Sequence, residues 1–204
     1  MAFGTQTLSA LSHQTFLAKY SKTGQLLWVK TKADVNNGSS TADNYIQSMT
    51  TDEFDNIYLS IRSKLNATFA GMNIDKGNYL IKLNSNGNAI WSKQTWDYNT
   101  TNGGLSITNI KYINNRLYAS GFYRGTFSIG STNYTSTTFD DAAILKIDTT
   151  GALINQVIIS SADYDFDLSL QLLPNASIIY IGHAYSASGQ TTAMVSVGTN
   201  TITT

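Results

Sequence analysis

Cysteine is absent from the 204 residues, which excludes disulfides, thiolate zinc sites and cysteine nucleophiles. Charge is scarce and balanced: 13 Lys and Arg face 13 Asp and Glu, for a formal net charge of zero. That excludes the electrostatic footprint of a nucleic-acid binder or of a protein held on an anionic membrane. His13 and His183 are the only histidines, too few for a histidine-rich metal or catalytic centre. No apolar run approaches the ~20 residues of a spanning helix. The longest, such as Ser177–Gly182, are strand-sized, so membrane insertion is not expected. The first residues, MAFGTQTLSALSHQ, lack a basic region followed by an apolar one, so they do not read as a signal peptide. The chain is therefore expected either to stay in the cell that makes it or to be cut from a longer exported precursor. Walker, GxSxG, GxGxxG and HExxH patterns are missing too, and no enzyme is expected.

What is present points to a folded, strand-rich domain. Hydrophobic residues make up 42% and aromatics 11%, against only 13% charged, which is the reverse of a disordered composition. Thr, Ser and Asn together are about a third of the chain. Thr, Tyr and Phe favour strands, and Asn, Ser and Gly favour tight turns. Uncharged polar surfaces of this kind are common on exported bacterial proteins.

An internal repeat organises the sequence. Phe16–Lys30 (FLAKYSKTGQLLWVK) and Tyr79–Lys93 (YLIKLNSNGNAIWSK) share an aromatic, a Leu, a Lys, a Gly and a Trp at matching positions. Ala143–Val157 (AILKIDTTGALINQV) is a third copy in which Asn155 replaces the Trp. The turn glycines Gly24, Gly87 and Gly151 are 63 and 64 residues apart. A second pattern, turn residues followed by an apolar–aromatic strand, recurs at Asp52–Arg62, Ile113–Phe122 and Pro174–His183. Gly121 and Gly182 there correspond to Ile61. A third recurs at Thr68–Gly71, Thr126–Gly130 and Met194–Gly198, with Ala2–Gly4 as an N-terminal counterpart. Helical spacing of Leu8, Leu11 and Phe16 is outweighed by the Thr- and Ser-rich equivalent stretch at Asn133–Lys146.

Four short strands per period of about 60 residues is the arithmetic of a β-propeller blade, with the Lys-Thr-Gly, Ser-Asn-Gly and Thr-Thr-Gly turns closing hairpins. The repeat resembles the SBBP family, the beta-propeller repeat of exported bacterial proteins. Phe16, Lys19, Gly24 and Trp28 match the first half of that unit, as do Tyr79, Lys82, Gly87 and Trp91; Tyr118 and Gly121 match the second half. Asn155 and Ile61 depart from it. The resemblance implies an all-β fold and a secreted or cell-surface location, and no activity. In its register the 204 residues form one segment of about three blades: a partial unit at 1–32, complete units at 45–95 and 106–159, and a partial unit at 167–204. Outer strands are expected at about 15–21 and 26–32, and inner strands at 167–173 and 177–184. Three blades fall short of the four to eight of a propeller. Completion by further blades of a longer chain is expected first, and by a second chain around a two-fold axis second.

Candidate chemistry is sparse. Trp28 and Trp91, recurring with the period, read as blade core rather than as a platform for a ligand. Lys19, Lys82 and Lys146 read as polar outer-strand residues that blunt an edge. Asp163, Asp165 and Asp167 alternate in SADYDFDLS. On a strand they would share one face about 7 Å apart, solvated or bridged by a hard cation such as Ca²⁺. The bland alternative is a solvated loop leading into the inner strand. Asp140 and Asp141 read as turn caps, and Asp52, Asp55 and Asn56 as a turn rather than a calcium loop. Asn66, Asn99, Asn133 and Asn175 sit in chance N-x-[ST] sequons. The expected function is a non-catalytic scaffold or adhesin-type module binding a protein or glycan surface ligand, needing no cofactor unless Ca²⁺. The alternative is a phage or viral structural or receptor-binding component.

Overall fold

In the computed structural model, residues 2–3, 6–7, 15–34, 45–129, 132–136, 140–160, 165–172, 178–184, 194–197 and 200–203 are described. All of their regular structure is β, with no helix. In chain order the strands are β1 (Ala2–Phe3), β2 (Gln6–Thr7), β3 (Phe16–Tyr20), β4 (Leu26–Asp34), β5 (Tyr45–Thr51), β6 (Ile57–Ser63), β7 (Ala67–Phe69), β8 (Met72–Ile74), β9 (Gly77–Leu83) and β10 (Ala89–Asp97). There follow β11 (Gly103–Ile113), β12 (Arg116–Ile129), β13 (Thr132–Thr135), β14 (Asp141–Asp148), β15 (Leu153–Ser160), β16 (Asp165–Leu172), β17 (Ile178–Ala184), β18 (Met194–Val197) and β19 (Asn200–Thr203). Every pairing is antiparallel.

Two four-stranded meanders carry the fold: β5-β6-β9-β10, and β11-β12-β14-β15. They are joined by one bridge, Trp96 opposite Gly104. Before them stands the hairpin β3–β4, and after them the hairpin β16–β17. Small hairpins reach between layers, as β7–β8 does by pairing with the end of β4. The described strands do not close into a barrel or a ring.

Side-chain parity shows how the layers stack. Residues along a strand alternate between its two faces. In β6 and β9, Ile57, Leu59, Ile61, Tyr79, Ile81 and Leu83 enter one apolar cluster with Leu17 and Trp28 of the β3–β4 hairpin. Their neighbours Tyr58 and Leu80 face the other way, into a second cluster with Leu105, Leu117 and Leu145 of the next meander. In that meander Tyr118, Ala142 and Ile144 again face away, into a third cluster with Leu170 and Tyr180 of β16–β17. Four layers thus enclose three cores. The central strands β6, β9 and β14 are buried on both faces, while the outer strands β10 and β15 are largely half-buried or exposed. Ile61, which stands where Gly121 and Gly182 stand, is 1% exposed and part of the first core, so the departure from glycine is filled by packing. At Gly121 that option is closed, because a Cβ would lie 1.9 Å from the Ser106 carbonyl oxygen.

One turn is used three times in the outer hairpins and once more between β5 and β6. Ser21, Asn84, Asp148 and Asp52 each accept from the backbone N–H two and four residues later: Ser21 Oγ from Thr23 and Gln25, Asn84 Oδ1 from Asn86 and Asn88, Asp148 Oδ1 from Thr150 and Ala152, and Asp52 Oδ1 from Phe54 and Asn56. The fourth residue is left-handed, at φ 83° in Gly24, 73° in Gly87 and 84° in Gly151, and at 61° in Asp55, where an L side chain is strained. The expected hairpin glycines are thus explained by local backbone demand.

Candidate functional site

The periodic residues meet at the junctions between layers. Lys19 stands opposite Trp28 across β3–β4, and Lys82 opposite Trp91 across β9–β10. Beside each pair a bulge leaves Leu27 or Ile90 on the surface, about half exposed. Trp28 Nε1 and Lys19 Nζ both donate to the Ser85 carbonyl, at 3.1 and 3.4 Å. One period on, Trp91 Nε1 and Lys82 Nζ both donate to the Thr149 carbonyl, at 3.2 and 3.4 Å. Each acceptor lies two residues before the turn glycine of the next layer. A Cβ on Gly87 would come within 3.1 Å of the Trp28 ring, and one on Gly151 within 3.3 Å of Trp91. The glycines therefore serve twice, for positive φ and as seats for the tryptophans.

This corrects the expected role of the lysines. Lys82 and Lys146 lie on strands paired on both sides and blunt no edge, while Lys19 lies on β3, the end strand of its sheet, and turns to the next layer. Lys82 lies on a central strand with its side chain 12% exposed, Nζ 5.0 Å from the Tyr58 ring centroid and 3.9 Å from Asp52 Oδ2. The tryptophans pack half-buried against the cores, and they also carry a directional bond across the layers. Asp52 accepts four bonds, from the N–H groups of Phe54 and Asn56, from Asn56 Nδ2 and from Tyr58 OH. Burial pushes its carboxyl up, but the bonds from Asn56, Phe54 and Tyr58 outweigh burial and hold it below its ordinary value. Burial first, then the Asp52 charge, drives the Tyr58 phenol far above its ordinary value.

Asp140, expected as a turn cap, follows residues that lie outside the described ones, and it makes an ion pair that was not expected. Its partner among the described residues is a cation: Arg124 Nε and Nη2 donate to its two carboxylate oxygens at 2.6 and 2.9 Å, a two-pronged ion pair. Asp141 is buried on β14 opposite Tyr123. Of the alternating aspartates, Asp163 lies outside the described residues. Asp165 and Asp167 lie within β16, opposite Ala184 and Gly182, rather than in a loop leading to it. Among the described residues no three His, Cys, Asp or Glu gather where they could hold a metal ion. His13 lies outside the described residues, and His183 stands opposite Phe166 on β17.

A cleft of about 550 Å³ opens between the two meanders at the bridge that joins them, lined by Arg62, Lys64, Trp96, Tyr98, Phe122 and Arg124. Trp96 and Tyr98 meet edge to face, 5.5 Å apart. Tyr98 OH donates to Asn78 Oδ1 at 3.1 Å, and burial raises its phenol. Gly104 is required here, since a Cβ would lie 2.4 Å from the Trp96 ring. Three cationic side chains and one carboxylate, Asp140, leave the lining positive. Sequence reasoning missed this cleft. Its one signal was a departure from the period: Ala33 and Ser160 stand where Trp96 stands in the second copy.

No protein-family model matches the chain, and no curated protein matches it.

Proposed function

We propose that the chain is a non-catalytic binding module built of β-propeller repeats, of the kind carried by secreted or cell-surface bacterial proteins. The observation that carries this reading is the junction used twice with the same atoms, a cross-strand Lys–Trp pair donating to the carbonyl two residues before the next turn glycine. Such a joint fixes the β3–β4 hairpin on the first meander and the first meander on the second in one orientation, as a stack around an axis requires. The low charge and the Thr, Ser and Asn surface accord with an exported protein, and the SBBP-like repeat points the same way.

A rigid stack presents the clefts between its layers as preformed sites. The cleft at Trp96 and Tyr98 pairs aromatic faces with Arg62, Lys64 and Arg124, a lining suited to a saccharide bearing a carboxylate or sulfate. Aromatic rings take the apolar faces of a sugar, and the net positive lining attracts its anion. An array of acidic and neutral glycans probed with the 204-residue chain tests this. Acidic saccharides should be retained, with at least tenfold weaker retention by a Trp96→Ala variant of unchanged circular dichroism. Equal retention by that variant, or binding to no acidic saccharide, overturns the assignment of the cleft.

A further inference from the structure

The two junctions show what each end of the stack is shaped to receive. The Ser21–Gln25 turn repeats the geometry of the Asn84–Asn88 and Asp148–Ala152 turns, with Lys22 at the position of the acceptors Ser85 and Thr149. A Cβ on Gly24 meets nothing within 4 Å, whereas Gly87 and Gly151 are each covered by a tryptophan. Among the described residues no indole or ammonium reaches the Lys22 carbonyl. At the other end, Lys146 stands opposite Asn155 on β14–β15, as Lys82 stands opposite Trp91 on β9–β10. Lys146 Nζ lies 5.7 Å from the Tyr118 ring centroid, as Lys82 lies over Tyr58, but it reaches no turn carbonyl among the described residues.

The sheet edges are complementary in the same way. In the complete meanders β6 pairs with β9 and β12 with β14, placing Tyr58 opposite Lys82 and Tyr118 opposite Lys146. Among the described residues, β17, which carries Tyr180 at the corresponding position, is paired with β16 alone. β3, which carries Lys19, is the end strand of its sheet. Among the described residues one hairpin has no outer strands and the other no inner strands beside it, and an uncovered edge of either kind is a template for another chain.

We infer that a second copy of this chain completes both ends. β3 of one copy pairs antiparallel with β17 of the other, bringing Lys19 opposite Tyr180. Lys146 Nζ and the Asn155 amide of that other copy then donate to the Lys22 carbonyl. Asn155 supplies the N–H that an indole supplies at the internal junctions, with less bulk over Gly24. Because each chain carries both halves, the pairing is reciprocal about a two-fold axis and closes on itself, giving six layers. A second copy is chosen over other occupants because it offers the acceptor, the donors and the missing strands together. The inference rests on the propeller reading of the repeat.

Light scattering on the purified chain should give twice the 22.2 kDa of one copy. In an equal mixture of ¹⁴N- and ¹⁵N-labelled protein, a short amine-reactive reagent should join Lys22 to Lys146 in mixed-isotope pairs. Asn155→Trp, which restores the internal pattern, should tighten the dimer at least tenfold. A monodisperse monomer overturns the inference. So does a dimer without the mixed Lys22–Lys146 link, which would use another face, or a ladder of higher masses, which would show stacking without closure. Trp91→Ala keeps the two readings apart. A monomer whose melting temperature falls sharply with that substitution retains internal stacking and loses only the second copy, whereas a monomer indifferent to it loses both.

Discussion

The two internal junctions share their atoms but not their surroundings. At the first, Lys19 Nζ and Asp55 Oδ2 are 3.1 Å apart, with the side chains 30% and 71% exposed. At the second, Lys82 Nζ and Asp52 Oδ2 are 3.9 Å apart, with the side chains 12% and 2% exposed. Distance alone ranks the first pair as the stronger. Burial reverses that order. Water screens an exposed pair to between nothing and about 1 kcal/mol, whereas removing one partner of a buried pair strands a charge at a cost of about 3–5 kcal/mol. Lys82 has further support from the Tyr58 ring beneath it and from Tyr112 stacked on that ring at 5.9 Å. The second junction is therefore the one on which the stack depends.

The largest effect should come from the tryptophans. Trp91 packs on the second core and tilts against Tyr58, 6.2 Å between centroids, so it also covers the Lys82 site. Trp91→Ala should cost about 3–4 kcal/mol in urea unfolding, within the range for a large aromatic removed from packed surroundings. Trp28→Ala makes the same truncation where the lysine is already wet, and should cost about 2 kcal/mol. Equal losses would break the comparison, because they would mean that the bond to the turn carbonyl dominates and the surroundings do not matter.

The carboxylates come next. Asp52→Asn should cost about 2–3 kcal/mol at neutral pH, since four donors and a buried ammonium lose their anion. Asp55→Asn should stay within about 0.5 kcal/mol. The pH dependence carries a definite sign. The folded Asp52 carboxyl titrates below its ordinary 3.8, so its contribution is fully present above that value and is lost as pH falls through the folded pKa. The gap between parent and Asp52→Asn should therefore be constant above about pH 5 and shrink in acid below 3.8. A gap that persists at pH 2 would show that Asp52 acts by shape rather than charge.

Legibility in the sequence follows the range of the interaction. The turn glycines were readable because positive φ is a local demand, renewed every 63 or 64 residues at Gly24, Gly87 and Gly151. The strands were readable to within a few residues, because period-two patterning and the turns bound them on both sides. The direction of the lysines was not. Lys82 and Thr149 are 67 residues apart, and only the stacking of layers brings them together. The ion pair of Asp140 was hidden for a related reason. Its partner Arg124 lies across a hairpin, and a carboxylate before a strand has the same local sequence whether it caps a turn or holds a guanidinium. The Trp96 cleft depended on residues that break the period, whereas repeat reading finds those that keep it.

The smallest effect isolates backbone strain at the first junction. Asp55 occupies the turn position that glycine holds in the three outer hairpins, and does so at φ 61°. Asp55→Gly and Asp55→Ala both delete the exposed bond to Lys19, so the carboxylate cancels from their difference. What remains is the cost of a Cβ in the left-handed region, about 1 kcal/mol, offset in part by the greater freedom of glycine in the unfolded chain. Asp55→Gly should thus match the parent within about 0.5 kcal/mol, while Asp55→Ala falls about 1 kcal/mol below it. Urea midpoints measured at two salt concentrations separate the terms: the ion pair weakens with salt, and the Gly–Ala difference does not. If Asp55→Ala proved as stable as Asp55→Gly, the turn would tolerate an L residue without strain, and the glycines at positions 87 and 151 would be there solely to seat the tryptophans.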